Sequence, residues 1–152
     1  MFEGLLYLAL GFEPIVSVER QRDIVATEFS FQEDGKRGSY GDYLSLKHLY
    51  VALPATVPPD SLVRIFGPTG TAIARVLDKG PWNAARKRSR SRDDPYWLMR
   101  SRPQAESGKD YTGRRTNGAG IDLSPALARK IGIKGRGRVD WELVVIMPGI
   151  RG

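Results

Sequence analysis

The chain has 152 residues, no cysteine and a formal charge of +7. This length suits one domain with an ordinary hydrophobic core. Without cysteine, disulfides, thiolate metal sites and cysteine nucleophiles are excluded. The 17 glycines and 10 prolines form a turn-rich composition that favours short strands over a helical bundle.

The first apolar segment runs from Leu5 to Phe12. It is far shorter than the roughly 20 residues of a membrane-spanning helix. It also lacks the basic start and small-residue cleavage site of a clear signal peptide. The segment is therefore predicted to be a buried strand or short helix, with an atypical export segment as the alternative.

Alternation of apolar and polar residues predicts strands in three places. The first covers residues 24–31, the second is a hairpin of 62–66 and 71–77 around a 67–70 turn, and the third covers 138–146. In the last strand the charged residues alternate with apolar ones. We therefore expect these two sets to lie on opposite faces of a sheet.

The positive charge is concentrated in residues 83–102, where seven basic and two acidic residues give a net +5. They belong to a long polar segment, 83–117, of a length that is usually functional or mobile in a compact domain. A basic run of this kind is most often a solvated loop. If it binds a partner, an anionic polymer is the natural one.

One short helix is predicted over residues 124–132. Ser124 is a good N-cap, Pro125 suits the first helical position, and Gly132 is a typical stop after two basic residues.

Two short segments carry the candidate chemistry. Asp78 begins Asp78-Lys79-Gly80-Pro81-Trp82, where a strand runs into a turn, and Asp122 ends Gly118-Ala119-Gly120-Ile121-Asp122, just before the helix. Glycines without side chains let a large ligand approach the backbone closely. The structural alternatives are that Asp122 caps the helix and that Asp78 organises the Gly-Pro turn.

Within these segments, Asp78-Lys79-Gly80-Pro81 and Gly120-Ile121-Asp122-Leu123-Ser124, in this order and followed by a helix and Gly137-Arg138-Val139-Asp140-Trp141, resemble the rare lipoprotein A domain. That domain is a double-psi β-barrel, related in fold to expansin and barwin domains and to family 45 endoglucanases. The resemblance implies an all-β, six-stranded double-psi β-barrel with one or two short helices. Residues 23–152 would form the barrel with its long basic loop at 83–117, and residues 1–22 an extension packed on it.

The resemblance also implies a cell-wall polysaccharide-cleaving, lytic transglycosylase-like protein in which Asp122 is the general acid/base and Asp78 its partner. A transglycosylase needs one carboxyl group, whereas hydrolysis ordinarily needs two, about 5–5.5 Å or 6.5–9.5 Å apart. Asp78 would supply the second carboxyl or raise the pKa of Asp122 by like-charge repulsion.

Catalytic members of the family also carry a Glu and a His in the first third of the domain. Here the one histidine, His48, does not match that spacing, and no nearby acidic residue falls in a convincing motif. A non-catalytic, expansin-like module that binds carbohydrate or peptidoglycan is therefore the alternative.

Further substrate contacts are expected from aromatic rings and from glycines near the two motifs. Core packing is the simpler interpretation for any one ring, and an ordinary, partly buried position is the simpler one for the histidine. The candidates are Trp82, Gly80, Gly118, Gly120, Tyr43, His48 and Trp97.

The sequence contains no metal-ligand spacing, phosphate-binding loop or dinucleotide fingerprint, so neither a metal nor a cofactor is predicted. The expected partner is peptidoglycan or another anionic polysaccharide, in the periplasm or the cell wall. A phage-encoded protein or a trimmed form of a longer one would reconcile this location with the missing export signal. Nucleic-acid binding through the basic loop is a distant third, because no recognition helix, zinc finger or RNA-binding aromatic pattern is present.

Overall fold

The computed structural model describes residues 7–8, 20–29, 35–53, 57–80, 106–109, 113 and 115–146. These residues contain seven strands and one helix. In chain order the elements are β1 (Tyr7–Leu8), β2 (Gln21–Glu28), β3 (Tyr50–Leu53), β4 (Leu62–Phe66), β5 (Thr71–Lys79), β6 (Ile121–Leu123), α1 (Pro125–Ile131) and β7 (Arg136–Ile146).

Strands β2 to β7 close into a six-stranded barrel. Their order is β7-β2-β6-β3-β5-β4, and β4 pairs again with β7. Two pairs are parallel, β2 with β6 and β3 with β5, and each joins strands that are not consecutive in the chain. This arrangement confirms the predicted all-β, double-psi barrel class. Outside the ring, β1 pairs in parallel with the end of β7.

The predicted hairpin is present as β4 and β5, joined in antiparallel register from Leu62 to Phe66. The Gly67 N–H donates to the carbonyl of Gly70 at 2.8 Å and closes the turn. A Cβ on Gly67 would overlap the carbonyl oxygen of Ile131. Glycine is therefore required here because the turn packs directly on the end of the helix.

Strand β2 differs from its predicted range, since it begins at Gln21 and ends at Glu28. It begins early because Gln21 pairs with Trp141 across an irregularity that precedes Ile24. It ends at Glu28, and the next residue, Phe29, packs its ring on Tyr50 with the ring centroids 5.4 Å apart. Residues 30–31 of the predicted strand lie outside the described residues. Tertiary pairing, rather than the apolar alternation, thus sets where the strand begins.

The barrel interior holds the apolar core, to which strand β7 contributes alternate residues. Val139, Trp141 and Leu143 are each 2% exposed, while Arg138 and Asp140 lie on the outer face. The predicted two-faced strand is present, except that Glu142 of the outer set is only 9% exposed, where Arg20 and Arg64 pair with its carboxylate. The other buried core side chains are Ile24, Ala26, Val51, Leu53, Val57, Val63, Ile65, Ala72, Ala74, Val76, Ile121, Leu123, Leu127, Ala128, Ile131 and Ile133.

Helix α1 has the predicted signals at both ends. The Ser124 side chain accepts a hydrogen bond from the Leu127 N–H at 3.3 Å, and Gly132 ends the helix with a φ of 86°. The Ser124 hydroxyl also donates to the carbonyl of His48 at 2.7 Å. One residue therefore caps the helix and ties it to the chain just before β3. None of the helical structure in the described part of the chain is long and apolar enough to cross a bilayer.

A second, smaller apolar cluster lies outside the barrel. It contains Leu44, Tyr50 and Leu77, with Phe29 packed against them. Leu77 joins it because the β3–β5 register is irregular there, so that Leu77 falls between two paired positions. The cluster fixes residues 35–49 against the outer face of β3 and β5.

Candidate active site

Five residues from neighbouring strands form one transverse row across the sheet. Arg136 of β7 is level with Thr27 of β2, and Thr27 is level with Asp122 of β6. Asp122 is level with Ala52 of β3, which is itself level with Asp78 of β5. Residues paired across adjacent strands point to the same face of the sheet. The barrel therefore brings both predicted aspartates into one row.

The row lies on the outer face of the barrel. Ile121 and Leu123, on either side of Asp122, are both fully buried in the core, so Asp122 points the opposite way. Asp122 and Asp78 are separated by one strand. Since neighbouring strands lie about 4.8 Å apart, their Cα atoms are roughly 10 Å from each other.

Exposure changes along this row. Asp78 is 8% exposed and Ala52 only 1%, whereas Thr27 and Asp122 are partly exposed and Arg136 is exposed. Among the described residues, Asp122 is therefore more open on the side of Thr27 and Arg136 than on the side of Asp78.

The carboxylate of Asp122 is held by one of its two oxygens. Its Oδ1 accepts hydrogen bonds from the Thr27 hydroxyl and from the Asn117 amide, the latter at 3.3 Å. The Asn117 amide also donates to Thr27 Oγ1 at 3.2 Å. Among the described residues, Oδ2 has no hydrogen-bond partner, so this oxygen is available to a ligand.

Burial raises the pKa of Asp122 from 3.8 to about 6. The hydrogen bonds from Thr27 and Asn117 act in the opposite direction because they stabilise the charged form, and the negative charge of Asp78 adds the smallest upward contribution. A carboxyl with this pKa is still protonated in about a tenth of molecules at pH 7. Such a group can both donate and accept a proton near neutral pH.

Capping of the helix is the task of Ser124, whose hydroxyl accepts the Leu127 N–H. The contacts of Asp122 instead reach sideways to β2 and to the loop before β6. The capping alternative therefore does not account for Asp122.

Asp78 is buried and bonded to the protein itself. Its Oδ1 accepts the backbone N–H of Ser39 at 2.7 Å and also the Ser39 hydroxyl. Gly38 permits this contact, since a Cβ there would lie 2.8 Å from the carbonyl oxygen of Leu77. Asp78 thus holds residues 38–39 against β5. The contact of Asp78 with Gly38 and Ser39 was not predicted from the sequence, where these residues belong to a polar stretch that contains glycine.

The predicted glycines are packed rather than open. Gly80, Gly118 and Gly120 are buried, and the Gly120 N–H donates to the carbonyl of Val25 at 2.7 Å. At Gly118, which has a φ of 67°, an added Cβ would lie 3.3 Å from the Arg136 guanidinium. At Gly118, therefore, the neighbour that lies close to the glycine backbone is the side chain of Arg136, where a ligand was expected.

Tyr43 and His48 lie on the segment that precedes β3. The Tyr43 ring is 62% exposed, its hydroxyl accepts from Arg37 at 2.9 Å, and the Arg37 guanidinium stacks 4.2 Å from its centroid. His48 is exposed, which corrects the expectation of a partly buried histidine. Its carbonyl, rather than its ring, makes the contact with Ser124.

Trp82 and Trp97 lie outside the described residues, as does most of the 83–117 loop. The described end of that loop docks beside Asn117. There the Glu106 carboxylate accepts the Val25 N–H at 2.7 Å, and the Thr116 N–H donates to the Gly108 carbonyl at 2.9 Å. Within the described part of the chain, no three acidic or histidine side chains are grouped so that they could hold a metal ion.

Replacing Thr27 with valine is expected to raise the pKa of Asp122 above about 6. Valine keeps the shape of threonine but removes a hydrogen bond that lowers this pKa. The Asp122 carboxyl can be titrated by carbon-detected NMR in both proteins. Thr71→Val, at an exposed position at the start of β5, is the control, and an unchanged or lower pKa in Thr27→Val would contradict the assigned role.

No protein-family model matches the chain, and no curated protein matches its sequence. Solved structures that are similar to it include three with a TM-score of 0.49 each. A mutant expansin from Clavibacter michiganensis in complex with cellohexaose is 15% identical, over 81% of this chain and 50% of that chain. The apo form of a Clavibacter michiganensis expansin is 16% identical over the same shares. A papain inhibitor from Streptomyces is 17% identical, over 83% of this chain and 94% of that chain. The present chain thus spans about half the length of the expansins, and at these identities the likeness bears on neither substrate nor activity.

Proposed function

We propose that this chain cleaves a cell-wall glycan in the manner of a lytic transglycosylase, with Asp122 as general acid/base. One observation carries the proposal. Asp122 is an outward-facing carboxyl with a pKa of about 6, and one of its oxygens is held while the other is available. This combination fits a group that donates a proton and then recovers it.

In the proposed reaction the protonated Asp122 donates its proton to the glycosidic oxygen as the bond from that oxygen to C1 breaks. The bonding electron pair leaves with the oxygen, which becomes the hydroxyl of the departing sugar. The Asp122 carboxylate then takes the proton of the muramyl 6-hydroxyl as that oxygen bonds to C1. The product is a 1,6-anhydro sugar, and Asp122 is again protonated for the next cycle.

The surroundings of Asp78 favour this reaction over hydrolysis. A hydrolase ordinarily needs a second carboxyl that reaches the substrate or an attacking water. Asp78 is only 8% exposed, and Ser39 donates two hydrogen bonds to one of its oxygens. We therefore assign Asp78 to holding the site together, and a one-carboxyl mechanism to Asp122.

Peptidoglycan is the proposed glycan, because the motifs around Asp78 and Asp122 resemble those of the rare lipoprotein A domain. The periplasm or the cell wall is the corresponding location. The second candidate function is a non-catalytic module that binds peptidoglycan or a related carbohydrate. It is favoured by the direct partners of Asp122, which are a threonine and an amide rather than a second acid or an imidazole.

The test is digestion of purified peptidoglycan sacculi, followed by mass spectrometry of the released fragments. Fragments ending in 1,6-anhydro-muramic acid are expected. Fragments with reducing ends would show that the protein is a hydrolase and not a transglycosylase. Protein that pellets with sacculi but releases nothing would establish the binding module, and neither binding nor release would contradict a role on peptidoglycan altogether.

A further inference from the structure

Several basic side chains among the described residues are compensated by carboxylates of the protein itself. They pair with carboxylates on the outside of β2, β4, β5 and β7, as in the Arg64–Glu142 contact of 2.8 Å. The other pairs are Arg20–Glu142, Arg22–Asp140, Arg75–Asp60 and Arg138–Asp23. Their charges are compensated within the protein, so they offer little attraction to an anionic ligand.

Lys109, Arg115 and Arg136, which we call the basic rim, are distinguished from other exposed basic residues such as Lys47, Arg129 and Lys130 by their position near Asp122. All three rim residues are exposed, and none has a carboxylate partner among the described residues. Lys109 and Arg115 face each other across an isolated antiparallel bridge. Like charges directly opposite one another destabilise such a pair, and a bound anion would relieve this repulsion.

The rim is held next to Asp122. Arg136 donates through Nη1 to the carbonyl of Asn117, and the Asn117 amide donates to Asp122. Gly118 packs between Arg136 and the backbone at residues 106–108, since an added Cβ would lie 3.3–3.7 Å from those atoms. The Lys109–Arg115 bridge is thereby fixed on the same side of Asp122 as Arg136.

This is also the open side of the row. Exposure increases from Ala52 through Asp122 to Arg136, so a polymer that reaches Asp122 passes the rim. Arg136 and Asp122 are two strands apart, about 10 Å between Cα atoms. If a glycosidic bond of the substrate lies at Asp122, the negatively charged group bound by the rim therefore belongs to a different part of the same strand.

Two described carboxylates in this region, those of Glu106 and Glu28, accept backbone N–H groups. Glu106 turns Oε1 to the Val25 N–H at 2.7 Å, and Glu28 accepts the Gly135 N–H through Oε2 at 3.1 Å. Each is thus engaged by backbone on β2 or at the start of β7, and none forms an ion pair with a rim residue.

We propose that the basic rim binds carboxylate groups of an acidic glycan on the Thr27 side of Asp122. The inference rests on the proposed function and names a contact within its substrate, a carboxylate carried by the glycan strand, which a neutral glucan lacks. The two arginine guanidinium groups match carboxylates in geometry and charge. Each exposed contact is weak by itself, so discrimination requires the three to act together along the strand.

The experiment compares two forms of one probe. Glycan strands are prepared from peptidoglycan by removing the stem peptides, and the muramyl carboxylates are either left free or converted to neutral amides. Binding is measured by fluorescence anisotropy of end-labelled strands. The proteins are wild type, a rim variant in which each rim residue becomes glutamine, and a control with the same loss of charge. The control substitutions are Lys47→Gln, Arg129→Gln and Lys130→Gln, all exposed and all around helix α1.

Wild type and the control are expected to bind the free-carboxylate strands about tenfold more tightly than the amidated strands, a factor that three weak ionic contacts can supply. The rim variant should bind both forms equally, at the level that wild type shows for the amidated form. Circular dichroism at neutral pH verifies that the three proteins share one fold.

Equal affinity of wild type for the two forms would contradict carboxylate binding by the rim. The same loss of affinity for the free-carboxylate strands in the control as in the rim variant would also contradict it. Glycan binding and product release would survive either result, so the proposed function would stand. If wild type bound neither form and released no products, both the rim proposal and the proposed function would be contradicted. A single-stranded oligonucleotide that displaces the free-carboxylate strands and loses affinity in the rim variant alone would assign the rim to nucleic acid and overturn the glycan proposal.

Discussion

Asp122→Asn is expected to lower the release of anhydro-muropeptides by roughly 10²–10⁴-fold, the usual contribution of a general acid/base. Asparagine keeps the size of the side chain, and its amide oxygen can still accept from Thr27 and Asn117, as Oδ1 of Asp122 does. It cannot give a proton to a glycosidic oxygen or take one from a 6-hydroxyl. Binding to sacculi should be retained, because the surface that contacts the glycan is unchanged.

Two further variants make this experiment specific. Asp140→Asn changes a carboxylate on the outer face of β7 that pairs with Arg22 at 3.5 Å, and it should leave product release unchanged. Asp78→Asn weakens the contact with Ser39, so it should lower stability first and activity only as a consequence. If Asp122→Asn released products at the wild-type level, Asp122 would not be the general acid/base.

The same substitution should make the protein more stable above pH 6. The pKa of Asp122 is about 6 in the folded protein and 3.8 without the effect of the fold, so the folded state favours the protonated form. Stability from this group is therefore fully present below pH 4 and is lost as the pH rises through 6. The full difference corresponds to up to about 3 kcal/mol, which Asp122→Asn would recover because asparagine carries no charge.

The measurement is urea unfolding of both proteins from pH 4 to pH 8, using the difference between their free energies of unfolding. Other carboxylates titrate in the same range, but their contributions cancel in this difference. It should be smallest at pH 4, grow through pH 6 and level off by about pH 7. A difference that is flat with pH, or that matches the one given by Asp140→Asn, would mean that Asp122 has an ordinary pKa and is a poor general acid.

The two expectations are linked by one physical cause. A carboxyl that is desolvated enough to hold its proton near neutral pH destabilises the folded protein whenever it is charged. Replacing it with a neutral side chain of the same shape is therefore expected to lower activity and to raise the free energy of unfolding, a combination that is common at functional sites.

Local features of the sequence were sufficient for several elements. Helix α1 follows from Ser124, Pro125 and Gly132, because capping and proline preferences act within a few residues. The hairpin follows from a turn between two apolar runs, and the faces of β7 follow from simple alternation. The closed six-stranded barrel was inferred from the resemblance to a known domain, since alternation alone does not say which strands pair.

The short strands β3 and β6 gave little local signal, since they have four and three residues. They matter most to the site, because Ala52 of β3 and Asp122 of β6 stand next to each other in the row. A strand of this length owes its existence to its neighbours on both sides rather than to its own propensity. Its register therefore had to come from the tertiary structure.

Sequence by itself determined that Asp78 and Asp122 are the candidate carboxyls, and it determined the fold class through the motifs that contain them. Only the tertiary structure decided that their environments differ. Asp78 is buried against Ser39, whereas Asp122 opens toward Arg136 and is held by Thr27 and Asn117. These partners come from distant parts of the chain, and parallel pairing of non-consecutive strands brings them together. Burial and register are properties of the assembled barrel, and they set both the pKa of Asp122 and the side on which the described residues leave it open.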